Sequence, residues 1–150
     1  QSRAPSDKER KPPRGFVPIP SGIGFSDQLA PLYVSRSADS PPRMGFFVEP
    51  HHCNPAGVCG GGMLASVLDH ALGGAVMYEM STDIPPATVS LHTDFVAPGR
   101  LGQWLETETI SVSHKGALGY ATILLRGPDG VVAQGSGICK VPISQSSSAA

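Results

Sequence analysis

The sequence predicts an α+β fold in which one long buried central helix is wrapped by an antiparallel β-sheet. Three observations carry that expectation. MLASVLDHALGGAVMYEM, residues 63–80, is a long apolar run with helical spacing. Short stretches rich in β-branched and aromatic residues, or alternating in polarity, stand on both sides of it. The GPDG at 127–130 is a turn sequence that joins the last two stretches as a hairpin.

The chain has 150 residues, 40% hydrophobic and 15% charged, which suits one domain with a real core. Eighteen Gly and 15 Pro leave much of it for turns, loops and tails. Net charge is −1, so no general electrostatic attraction to nucleic acid or anionic membrane is expected. Residues 1–15 hold five Lys or Arg against two acids. That Pro-containing, apolar-poor stretch reads as a disordered basic tail over residues 1–20. A domain over 21–143 and a flexible serine-rich tail over 144–150 follow. No apolar run approaches the ~18 residues of a membrane span. Cys53, Cys59 and Cys139 cannot all pair within one chain, which suits a reducing, cytoplasmic setting.

Element by element, LYVSR (32–36) and MGFFVEP (44–50) read as strands, and HHCNPAGVCGGG (51–62) as a loop. In the helix, Leu64, Leu68, Leu72 and Ala75 recur at three- and four-residue spacing, widened by Val67 and Ala71. Gly73 and Gly74 weaken the helix by about 1 kcal/mol each, or let another backbone come close. Beyond Pro85–Pro86 the period changes to two. ATVSLHTDFVAP (87–98), WLETETISVS (104–113) and the two halves of 120–141 read as four successive strands.

The glycine run ahead of the helix is the chemical signal. GVCGGGM has neither the Lys-Ser/Thr ending of a P-loop nor the GxGxxG spacing of a dinucleotide site. His51, His52, Cys53, Cys59 and His70 cluster within 20 positions but lack the paired spacing of structural zinc, so no metal is expected. What remains is a helix N-terminus with bare N–H donors, where negative charge developing on an acyl oxygen is favoured. Asp69 lies two turns on from Gly62, a carboxylate within an apolar helix. Met63, Phe95 and the helix start are candidates to line an apolar pocket. Glu106 and Glu108 read as solvent-facing residues.

Asn54, Gly57, Gly60, Gly61, Gly62 and Asp69, followed by TVSLHTDFVAPGRLG (88–102), resemble the hotdog-fold acyl-CoA thioesterases of the phenylacetate-pathway type. That family reads Asn-x-x-Gly-x-x-His-Gly-Gly, with an acid nine positions after the His. Gly60 to Asp69 keeps the spacing. The resemblance covers about residues 44–141. It implies Asp69 as nucleophile or general base on a thioester carbonyl, and the Gly61 N–H as the donor that polarises it. Asn54 would orient water or hold the loop. Thr88, with Ser90 as the alternative, would position the attacking water. Gly60, Gly62, Met63, Lys115 and Gly116 would contact substrate, and Arg100, Lys115 and Arg126 are cations for a CoA phosphate tail. It further implies no separate cofactor, because CoA is part of the substrate. A site shared between two subunits of a homodimer, which can pair into a tetramer, is implied as well. One residue departs from the pattern: Gly60 stands where the family has His. A non-catalytic module that binds acyl-CoA or another apolar ligand is the second reading, and a hydratase on the same fold the third.

Overall fold

The computed structural model describes residues 10–142. One 19-residue helix, α1 (Gly61–Glu79), lies in the curve of a seven-stranded antiparallel sheet. The strands are β1 (Val17–Pro18), β2 (Tyr33–Ser37), β3 (Ser40–Phe47), β4 (Ala87–Phe95), β5 (Trp104–Lys115), β6 (Leu118–Gly127) and β7 (Gly130–Lys140). Their order across the sheet is β1-β2-β3-β5-β6-β7-β4. The expected α+β architecture is the observed one, a single helix wrapped by an antiparallel sheet.

The helix forms where its spacing predicts and begins two residues earlier than expected. Gly60 is the N-cap, and its carbonyl accepts the first intrahelical bond from the Leu64 N–H at 3.1 Å. Met63, Leu64, Val67, Leu68, Ala71, Leu72, Ala75 and Val76 are buried against the sheet. Burying a leucine side chain fully contributes about 1.5–3 kcal/mol, and Leu68 and Leu72 are fully buried. Gly137 lets the helix lie this close, because a Cβ there would stand 2.5 Å from Leu72 Cδ2. The opposite stripe of α1 carries small or polar residues: Gly62, Ser66, Asp69 and Gly73.

Two expectations are corrected at the N-terminal side. Residues 10–20 are laid along the sheet and are not a free tail. Val17–Pro18 pairs with β2, the Ile19 N–H donates to the Leu32 carbonyl at 2.9 Å, and the Phe16 ring meets Trp104 edge-on at 5.0 Å. Arg10 reaches Glu49 at 3.5 Å. Composition missed this because three spaced apolar residues, Phe16, Val17 and Ile19, suffice once Trp104 offers a docking ring. Residues 1–9 and the tail expected over 144–150 lie outside the described residues. The strand expected at 44–50 begins at Ser40, running through Pro41 and Pro42. Both prolines precede Gly45, where pairing with β5 begins, so their missing N–H groups break no ladder on that side.

The last four strands follow the expected order. β5 and β6 form a hairpin, and β6 and β7 close around Pro128–Asp129. β4 crosses to pair with β7, leaving its other edge without a neighbour among the described residues.

Candidate active site

α1 carries two separate groups of expected site residues. At its start, the N–H groups of the first turn have no intrahelical acceptor, and Gly60 brings no capping side chain. The loop that delivers them is a tight ribbon. The Asn54 N–H donates to the Val58 carbonyl at 2.8 Å, and the Gly60 N–H to the His52 carbonyl at 2.8 Å. Asn54 Oδ1 accepts from the Ala56 and Val58 N–H groups at 3.0 and 3.4 Å, so its side chain holds the turn. Gly57 adopts φ +81° there, a conformation that a side chain would strain.

Beside this helix start lies an open cavity of about 410 Å³, lined by Asn54, Val58, Cys59, Gly61, Leu64 and the segment Phe95–Pro98. The Phe95 ring covers Gly61, 3.3 Å from where a Cβ would sit. Of the expected site glycines, Gly61 lines the cavity, and Gly60 and Gly62 flank it in the chain. Met63 does not line the cavity: it turns into the core, and Leu64 faces the cavity instead.

The second group is Asp69 with Thr88. The Thr88 hydroxyl donates to Asp69 Oδ1 at 2.6 Å, a short bond of the kind made to an ionised carboxylate. Asp69 is half-buried. Behind this pair, Cys139 faces Thr88 across β4 and β7 and is fully buried. Burial pushes its thiol pKa up; the nearby Asp69 charge adds to this, and Thr88 pulls the other way. Sequence reasoning did not single out Cys139 as a neighbour of Thr88. That contact follows from the β4–β7 crossover, which joins strands distant in the chain.

Ser90 is corrected. Alternation would set it on the same face as Thr88, but the register shifts between them: Thr88 pairs with Cys139 and Ser90 with Ile138. Ser90 therefore faces away from the helix, into a serine-lined groove with Ser111, Ser113, Tyr120 and Ser136. Lys115 and Gly116 form the β5–β6 turn beside Lys140 and Ala87, away from the Phe95 end of β4. Arg126 is held by Glu108 at 2.6 Å, and Glu106 by Arg43 at 3.2 Å. Arg100 bridges Val58 and so stands beside the glycine loop.

The histidines near the loop have structural partners. His52 Nε2 lies 2.7 Å from the Leu29 carbonyl, and its Nδ1 accepts the Glu49 N–H at 3.0 Å. Burial lowers the pKa of His52. His51 Nε2 lies 2.7 Å from the Ala30 carbonyl, and His70 Nε2 lies 3.2 Å from Ser26 Oγ. None of the three is placed at Gly60, the position of the family's His.

Gly61 and Asp69 are eight residues apart on one helix, about 12 Å of rise. One helix thus carries two separate groups: backbone donors beside an open cavity, and a carboxylate with its hydroxyl partner. A single long helix wrapped by an antiparallel sheet is the hotdog fold. Comparison with known proteins agrees, since the thioesterase superfamily model matches residues 56–133. The chain belongs to the thioesterase superfamily. It is 29% identical over 130 residues to a Pseudomonas aeruginosa protein named as an esterase, a match covering 87% of this chain and 97% of that one. A variant of the phenylacetic acid degradation protein of Thermus thermophilus superposes with a TM-score of 0.66 at 20% identity, covering 74% of this chain and 93% of that one. A Streptococcus pneumoniae thioesterase protein, described with coenzyme A, superposes with a TM-score of 0.63 at 16% identity, covering 84% and 94%. Among the described residues no helix is long and apolar enough to cross a membrane.

Proposed function

We propose that the protein is a cytoplasmic acyl-CoA thioesterase whose site is completed by a second copy of the chain. One observation carries the reading: Asp69 holds a 2.6 Å bond from Thr88 on the same helix that opens with bare N–H donors. The Gly61 N–H of one protomer would take the thioester oxygen, with the acyl group in the cavity under Phe95. Asp69 of the other would attack the carbonyl or draw a proton from water, leaving CoA as thiolate. Thr88 holds Oδ1, which would leave Oδ2 for the reacting carbon or its water. CoA is substrate and no separate cofactor is required. Arg100, beside the loop, is the cation best placed for a phosphate of the CoA tail.

The edge of β4, open among the described residues, supports the homodimer. Val89, Phe95 and Val96 are 59%, 55% and 60% exposed along it. An edge strand left open presents a row of N–H and C=O groups that invites pairing with another strand. A dimer of dimers follows in the same reading, and neither nucleic acid nor membrane enters it.

The test is thiol release from short-chain, long-chain and aryl acyl-CoA esters, with Asp69→Asn as the comparison. Turnover by the wild type that falls by orders of magnitude in the variant supports the proposal. Gly60 at the family's His position favours the second reading, a non-catalytic acyl-CoA-binding module. Binding of the esters by both forms, with thiol released by neither, would establish it.

A further inference from the structure

We infer that Cys53 and Cys59 form a reversible disulfide that clamps the ribbon feeding the candidate oxyanion donor. The two residues face each other as an isolated antiparallel bridge. Its bonds run from the Asn54 N–H to the Val58 carbonyl and from the Gly60 N–H to the His52 carbonyl, both 2.8 Å. Cys53 and Cys59 exchange no backbone bond with each other, so they are a non-hydrogen-bonded pair. In that geometry the Cα atoms stand about 4.5 Å apart and the side chains share one face of the ribbon. A disulfide accepts Cα separations of about 4.4–6.8 Å, so this pair lies within range without rebuilding the ribbon.

The two thiols are unequal. Cys53 is half-buried, whereas Cys59 is 4% exposed and burial pushes its pKa up to about 12. Cys53 is therefore the sulfur that meets an oxidant. With a peroxide, its thiolate forms an S–O bond, the O–O bond breaks, and hydroxide leaves. The Cys59 sulfur then attacks the Cys53 sulfur, and the S–S bond forms as S–O breaks. The proton given up by Cys53 and the hydroxide expelled from the peroxide make one water, and the Cys59 proton with the hydroxyl leaving Cys53 makes the second. Two thiols and one peroxide thus give one disulfide and two waters, the sulfurs being oxidised and the peroxide reduced. Because Cys59 must shed its proton, closure quickens as pH rises.

The consequence for activity rests on the proposed thioesterase reading. Cys59 lines the cavity and is two residues from Gly61. Drawing the two Cβ atoms to the ~3.8 Å of a disulfide moves the loop by about an ångström. A displacement of that size at a catalytic donor can cost up to ~100-fold in rate.

The whole chain is treated with hydrogen peroxide, denatured, alkylated and analysed by mass spectrometry. The inference expects a product lighter than the fully alkylated reduced protein by two alkyl increments and about 2 Da, with the bond mapped to Cys53 and Cys59 and only Cys139 alkylated, reversed by dithiothreitol. Thiol release from acyl-CoA should fall at least tenfold and recover on reduction, and Cys53→Ser should retain activity but lose peroxide sensitivity. Sulfinic acid at Cys53, or three alkylated cysteines, overturns the disulfide. A mapped disulfide with unchanged turnover overturns the clamp. A mapped, reversible disulfide in a protein that releases no thiol when reduced supports the disulfide and sinks the thioesterase reading instead.

Discussion

At its first turn α1 offers backbone: Gly60, Gly61 and Gly62 bring no functional side chain, only N–H groups and room. Two turns on, the same helix offers a carboxylate tied to Thr88 at 2.6 Å. The first region depends on what is absent, and at Gly61 a side chain would press on the Phe95 ring. The second depends on one functional group at one position. The two should thus fail differently under substitution, the glycine end through space and the acidic end through chemistry.

The largest effect is expected at Asp69. Asp69→Asn keeps the shape and a hydrogen-bonding partner for Thr88 but removes the base or nucleophile. We expect kcat to fall by ~10²–10⁴ with KM little changed. A KM rise at constant kcat would place Asp69 in binding and undo the contrast between the two regions.

Thr88 comes next. Thr88→Val removes the donor to the carboxylate at nearly constant volume. A hydrogen bond to a charged group contributes about 1.5–3 kcal/mol, or ~10- to 100-fold in rate if expressed in turnover. Thr88→Ser restores the hydroxyl and should recover most of it. Equal loss in Val and Ser variants would assign Thr88 to packing.

At the glycine end, Gly61→Ala retains the N–H and adds a methyl 3.3 Å from Phe95 Cζ. Overpacking of this kind costs about 1–3 kcal/mol. The cost should appear as a roughly tenfold KM increase, relieved by the smaller ring-less side chain of Phe95→Leu. A kcat loss that Phe95→Leu fails to relieve would mean the backbone donor itself had moved.

The same contrast explains how much the sequence disclosed. Helix α1 was legible because Leu64, Leu68 and Leu72 repeat at its period, and the strands because GPDG and two-residue alternation mark them. The spacing from Gly60 to Asp69 also marks the candidate site, since both lie on one continuous element. Legibility ends where the chain returns from afar or breaks its own period. Cys139 reaches Thr88 only through the β4–β7 crossover. Ser90 is turned outward by a register shift at Val89 that no alternation pattern reveals. Met63 and Leu64 are both apolar, and only the angle at which α1 meets the sheet decides which faces the cavity. Phe16 is ordered by the ring of Trp104, far along the chain, and Ile19 by the Leu32 carbonyl.

The smallest effect concerns the loop that supports the glycine end. His52 accepts the Glu49 N–H at Nδ1 and donates from Nε2 to the Leu29 carbonyl, while its own carbonyl holds the Gly60 N–H. Burial, the largest cause, lowers its pKa in the folded state. Above about pH 6.5 the imidazole is neutral in both folded and unfolded chains and contributes no pH dependence. As pH falls through that value, the unfolded chain takes up a proton that the folded one refuses, because Nδ1 already accepts a backbone N–H. Stability should therefore fall from about pH 6.5 down to the folded-state pKa and level off below it, as far as His52 is concerned. Urea melts at about pH 7.5 and about pH 5.5 measure this, with His52→Gln separating it from other titrations. The wild type should lose more midpoint than the variant. If the variant loses as much, the proton is going elsewhere, and the glycine loop is held by its backbone ribbon without help from a neutral imidazole.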